Sequence, residues 1–240
     1  MLKFLSAGPP SETGVKPERV LFAASSTIAT TAATAEQHAV LRVFKPLIGV
    51  SLAGTVARGW RRRQAMDNAL LLGAVAGSTC GDVILQSPQA LGDDAKASGK
   101  SLNAAAVAFG IAHMCYQATA WRQGARVHPA LLTVHGAGLV GLASQAARHD
   151  PRVLPAAAGY GGLVALTSVL GISSLLSKQK NGRFAAGSVL FLVSDALILL
   201  RRMYLRGALP RAVAEAGVMT TYTIAQRLLV DGLDTAQPGR

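Results

Sequence analysis

The chain has 240 residues, half of them hydrophobic and only 15% charged, with a mean hydropathy of +0.35 and a net charge of +12. Soluble domains usually carry about 25% charged residues. Here the few charges cluster between long apolar stretches, which excludes an ordinary soluble domain. The 24 Lys and Arg are dispersed, aromatics make up 5% of the chain, and no nucleic-acid module appears, so nucleic-acid binding is excluded as well; basic loops flanking membrane spans account for the charge.

Residues 1–16 read as a polar tail, because MLKFLSAGPPSETG has too short an apolar core for a cleaved signal peptide. Eight candidate spans follow, each near the ~20 apolar residues that cross a bilayer core. The first, roughly 19–35, is rich in Thr, Ala and Ser and is expected to act as the insertion signal. The second, about 40–57, carries Arg42 and Lys45 near its start, with Lys45 just before Pro46. The third, about 67–86, opens on Asp67, expected to cap its first turn. It then presents Gly73, Gly77 and Gly81, a ridge that lets another helix approach closely, and Asp82 follows at once.

In the fourth span, about 102–121, Phe109, His113 and Tyr116 share a face, as do His113 and Gln117. The fifth, about 129–147, holds His135, which lacks a matching partner pattern and reads as packing. The sixth covers about 153–177. The seventh, 184–201, contains LVSDALIL, with Asp195 deep inside an apolar run. The eighth, 211–230, has Glu215 one turn in, then Tyr222 and Gln226 four apart on one face. Residues 231–240 form a second polar tail. The expected architecture is all-α: a polytopic membrane protein, a bundle of about eight transmembrane helices in one domain over 17–230. Short connections make sequence neighbours antiparallel neighbours. Cys80 and Cys115 fall within apolar segments and read as small core residues rather than a disulfide framework.

Loop charges orient the bundle. With both termini cytoplasmic, 14 of the 24 basic residues fall inside, including Arg58 and Arg61 to Arg63, and 10 fall outside, including Arg201, Arg202, Arg206 and Arg211.

Asp82 and Asp195 are the two deep carboxyls, and a charge at such depth costs about 2.5–3.5 kcal/mol on insertion scales. Both lie on odd-numbered spans, which run in the same direction. At ~1.5 Å per residue both fall beyond the midpoint towards the same side, so they are expected to meet. The alternatives are structural: Asp82 as a cap near a span end, an ion-pair network with Lys45, and His113 and Tyr116 as polar contacts of the bundle. No HExxH, Cys/His cluster or GxSxG occurs, so metal or serine chemistry has no support.

Five segments, FKPL at 44–47, GDVIL at 81–85, AFGIAHMCY at 108–116, GSVLFLVSDALI at 187–198 and TYTIAQRLL at 221–229, together resemble the YhhN-like lysoplasmalogenase family. The resemblance covers about 45–230 and implies an eight-span hydrolase of the vinyl-ether bond of lysoplasmalogens. Its products are a fatty aldehyde and a glycerophospho-base, with no metal or organic cofactor. By motif the family's proposed catalytic pair lands on Asp82 and Asp195. Lys45, His113, Tyr116, Tyr222 and Gln226 fall in its other motifs and are expected on the substrate side, with Lys45 near the interface as a point charge for the phosphate. The partners implied are a lysophospholipid or ether-lipid substrate and membrane lipids, in a multi-pass protein of the cell membrane.

Vinyl-ether hydrolysis needs a proton on the β-carbon and water on the oxocarbenium ion, and a carboxyl/carboxylate pair supplies both. Two like charges in apolar surroundings repel, so one carboxyl is expected to keep its proton. The competing readings are a non-catalytic lipid-binding or lipid-moving protein and a hydrolase of another single-chain ether lipid. A proton-coupled transporter is disfavoured by the lack of an internal repeat or of matched broken helices.

Overall fold

The computed structural model describes residues 16–92, 94–177 and 180–234. Most of the two expected tails lies outside them, as do Lys3, Lys178 and Arg240 of the orientation count.

The chain folds into α1 (Pro17–Thr34), α2 (His38–Arg58), α3 (Ala65–Leu85), the single turn α4 (Pro88–Leu91), α5 (Ala95–Arg122), α6 (Pro129–His149), α7 (Gly161–Leu176), α8 (Gly182–Tyr204) and α9 (Ala208–Leu233). No strand occurs among the described residues. The eight long helices coincide with the eight expected spans. Local chemistry sets several starts: Pro17 and Pro129 sit in the first helical turn, where a missing N–H is harmless. Asp94 accepts from the Lys96 amide to open α5, and Asn181 accepts from the Phe184 amide to open α8.

Among the described residues, five stretches are long and apolar enough to cross a membrane: α2, α3, α6, α8 and the continuous helical stretch Ala156–Leu176 that ends in α7. Its first turn, Ala156–Tyr160, is π-helical, a widened turn that often marks a functional position.

The most extensive packing is α8 on α9 and α3 on α5. The glycine ridge of α3 makes the second contact possible. A methyl at Gly77 would lie 2.8 Å from the Ala108 carbonyl oxygen, and one at Gly81 would lie 2.5 Å from the Phe109 ring. Gly187 does the same on α8, where a methyl would meet the Leu229 amide nitrogen at 2.8 Å. By contrast α6 buries a single residue, Ala146, and leans on α7 and its π-helical turn.

Two polar residues behave differently from their sequence reading. Asp67 is not a cap: it is buried and accepts from Arg122 Nε at 2.6 Å, because the end of α5 comes back alongside the start of α3. Cys80 lies exposed rather than in the core, and Cys115 is half-buried. The end of the bundle that holds Asp67 also carries a bidentate pair from Arg58 to Glu18 at 2.6 and 2.7 Å. The opposite end carries Asp150, bridged by Arg152 at 3.0 Å and Arg202 at 2.9 Å.

Candidate active site

Asp82 sits one turn before the end of α3 and is buried, held there because Gly81 lets α5 close in. Lys45, on α2 just ahead of Pro46, lies with its Nζ 3.0 Å from Asp82 Oδ1. The Tyr222 hydroxyl, from α9, donates to Asp82 Oδ2. A buried charge pair of this kind needs good geometry and a further hydrogen bond to offset desolvation, and Tyr222 supplies that bond. The ammonium also stands 5.4 Å from the Tyr222 ring centroid, a favourable cation–π position. Lys45 is only 8% exposed, so it faces Asp82 rather than the interface.

Behind Tyr222 the network continues. Gln226, four residues on along α9, donates from Nε2 to the Tyr222 hydroxyl at 3.1 Å, and accepts from the Tyr116 hydroxyl at 2.9 Å. Five of the residues singled out in the sequence, Lys45, Asp82, Tyr116, Tyr222 and Gln226, thus form one hydrogen-bonded chain across α2, α3, α5 and α9. His113 does not join it. Its Nδ1 is 2.9 Å from Thr167 Oγ1, on α7, and its ring stands edge-on to Phe191 at 4.5 Å. Among the described residues its buried Nε2 has no partner.

Asp195 lies near the middle of α8, half-buried, and its Oδ2 accepts from the Tyr160 hydroxyl at 2.5 Å. Tyr160 is the last residue of the π-helical turn. Phe109 stands between the two carboxyl–tyrosine pairs, its ring centroid 6.2 Å from both Tyr160 and Tyr222. The two carboxyls lie within electrostatic reach of each other.

Asp195 and Tyr160 open onto a cleft of about 430 Å³ between α5, α6, α7 and α8, also lined by Leu85, Phe109, His135 and Leu199. The cleft wall is overwhelmingly apolar, and its size is that of a small-ligand pocket. Asp82 stays behind the wall, one turn from Leu85. His135, read as packing, lines the cleft; its Nδ1 is 2.9 Å from the Leu131 carbonyl and its Nε2 3.1 Å from Ser168 Oγ.

Tyr160 was not legible as a site residue. It sits in AAAGYGG, which looks like a small-residue stretch. The available signal was that it is one of only four tyrosines and falls within a span, where the hydroxyl needs a partner. Among the described residues, no group of three or more His, Cys, Asp or Glu is arranged to hold a metal ion.

The model of the YhhN family matches residues 40–233, most of the chain and every residue of the networks above, and the chain belongs to that family. No curated protein and no solved structure matches it.

Proposed function

We propose that this YhhN-family chain is an intramembrane hydrolase of the vinyl-ether bond in lysoplasmalogens or closely related single-chain ether lipids. The observation that carries the reading is Asp195 in the wall of an apolar cleft, with the Lys45–Asp82 pair just behind that wall. The cleft suits a hydrocarbon chain, and the carboxyl suits proton transfer to an alkene that the chain brings alongside.

Asp195, engaged by Tyr160 through Oδ2 alone, is the proton donor in this reading. Its proton goes to the β-carbon of the vinyl ether, the C=C electron pair forms the new C–H bond, and an oxocarbenium ion results. The Asp82 carboxylate, ion-paired with Lys45, steadies that cation through the low-dielectric interior in this reading. Water then adds to the cationic carbon, and the Asp195 carboxylate takes a proton from it, regenerating the acid. The hemiacetal collapses to the aldehyde and the glycerophospho-alcohol.

Aldehyde release from a defined lysoplasmalogen by purified protein tests the reading. Wild type should be active, and folded Asp195→Asn and Asp82→Asn variants should lose about 10²–10⁴-fold in rate, the usual range for a positioned acid–base group. Activity surviving in both variants would remove the aspartates from the mechanism. Lipid binding by the wild type without aldehyde release would favour a lipid-binding role for the same cleft.

A further inference from the structure

Lys45 is taken up by Asp82, which leaves open what would hold a head group. We propose that Arg202 and Arg152, at the mouth of the cleft, bind the phosphate of a single-chain phospholipid whose hydrocarbon chain fills it. The inference rests on the cleft assigned above.

The register of α8 points there first. Asp195, Leu199 and Arg202 follow the i, i+4, i+7 spacing of one helix face. Asp195 and Leu199 line the cleft, and Arg202 continues that face about 10 Å further along the axis, at ~1.5 Å per residue. The facing wall agrees. Leu102 of α5 lines the cleft, and Ser98, one turn earlier, accepts from Arg202 Nη1 at 3.2 Å. Asn103 Nδ2 donates to the Arg152 carbonyl at 2.9 Å, fixing the α6–α7 connection beside the same mouth. Beneath these groups a small apolar cluster of Ala146, Val153, Ala157, Leu199 and Met203 gives the arginines a rigid footing.

The charge balance favours an anion. Arg152 Nε and Arg202 Nε divide the two oxygens of one carboxylate, Asp150, at 3.0 and 2.9 Å. Burial pushes the Asp150 carboxyl up, but the hydrogen bonds from Arg152 and Arg202 outweigh it and hold the group below the usual carboxylate range. Two guanidiniums against one ionised carboxylate leave one positive charge in excess, on side chains 54% and 23% exposed. Arg201, the residue before Arg202, turns away to Glu215. Guanidinium forks match phosphate oxygens in pairs.

The reach fits. From the β-carbon of an alkenyl ether on glycerol C1 to the phosphorus on C3 is a path of seven bonds. That is roughly 8 Å when extended, on the backbone scale of about 3.5 Å per three bonds. A lipid with its alkene at Asp195 thus brings its phosphate within the arc of both guanidiniums.

The test is equilibrium binding to the purified full-length protein of a saturated 1-O-alkyl lysophospholipid, which has no vinyl ether to cleave. The 1-O-alkyl glycerol of equal chain length and glycerol 3-phosphate serve as comparisons. Arg152→Gln with Arg202→Gln should weaken lysophospholipid binding about tenfold or more, the scale of lost charge-assisted hydrogen bonds, and leave alkylglycerol binding unchanged. Asp150→Asn, which removes the opposing charge, should tighten lysophospholipid binding. Equal losses for both lipids, no loss for either, or weaker binding in Asp150→Asn would overturn the inference. Glycerol 3-phosphate binding as tightly as the lipid would also overturn it, by assigning the arginines to free phosphate. Binding that follows the expected pattern in a protein releasing no aldehyde would keep this inference and remove the hydrolase reading.

Discussion

The Tyr160 hydroxyl donates to Asp195 Oδ2 at 2.5 Å, tying the π-helical turn of Ala156–Tyr160 to the middle of α8. The bond fixes which carboxyl oxygen is engaged. Tyr160→Phe keeps the ring against Phe109 and removes only the hydroxyl. The expected result is a kcat lower by about tenfold or more, since a hydrogen bond to a charged group is worth ~1.5–3 kcal/mol, with KM little changed. Steady-state aldehyde release from a lysoplasmalogen checks it; a variant at full kcat would make Tyr160 a packing residue only.

Lys45 and Asp82 form the buried pair at the other end of the network. Lys45→Met strands the Asp82 carboxylate and should destabilise the protein by about 3–5 kcal/mol. Adding Asp82→Asn should restore most of that stability, because no lone charge is left, yet should not restore aldehyde release. Thermal unfolding beside the activity assay separates the two effects. If the double variant were no more stable than Lys45→Met, the pair would not be the source of the loss.

Close helix approach at Gly81 makes a packing prediction. A methyl there meets the Phe109 ring at 2.5 Å, whereas one at Gly138 meets nothing within 4 Å. Gly81→Ala should lower stability by about 1–3 kcal/mol, as overpacking does, and shift Phe109 from its seat between Tyr160 and Tyr222. Gly138→Ala, with open space around the methyl and a better helix former in place, should leave stability unchanged or raise it slightly. Melting temperatures of the two variants side by side decide the matter.

At the far end of the bundle, the hydrogen-bonded Arg58 guanidinium holds the Glu18 carboxyl down, from 4.5 to about 2. A depressed carboxyl stabilises the fold fully above its unfolded value, so this contribution is present above 4.5 and fades as pH falls through about 2. Arg58 is 39% exposed, so screening limits the pair to about 1 kcal/mol or less. The melting-temperature difference between wild type and Glu18→Gln should therefore narrow from pH 6 to pH 3. A gap that stays constant would show that the pair titrates elsewhere.

The helices were legible because apolar length and short polar connections dictate them, and each of the eight expected spans has its long helix. Most of the candidate site was legible for the same reason: a carboxyl, an amine or an amide inside an apolar run stands out. Asp82, Tyr222, Gln226 and Tyr116 fall on one chain of hydrogen bonds because helical spacing puts Tyr222 and Gln226 on one face. What spacing does not carry is depth. Lys45 looked interfacial from its position in the span, but α2 is set against α3 and α9 so that the ammonium turns inward to Asp82. Tyr160 was missed because a π-helical turn breaks the periodicity on which face assignments rest. His135 escaped notice because the cleft it lines exists only once α6 has come to rest against α7.

The pairing of Lys45 with Asp82 also bears on how the protein is made. The two residues lie on consecutive helices, α2 and α3, joined only by the segment from Gly59 to Gln64. As the chain emerges, α2 alone would bring an unmatched ammonium to the translocation channel, and α3 alone an unmatched carboxylate. Delivered together as a hairpin, they enter with their charges already cancelled. The ion pair therefore makes two helices, rather than one, the natural unit of biogenesis in this part of the chain.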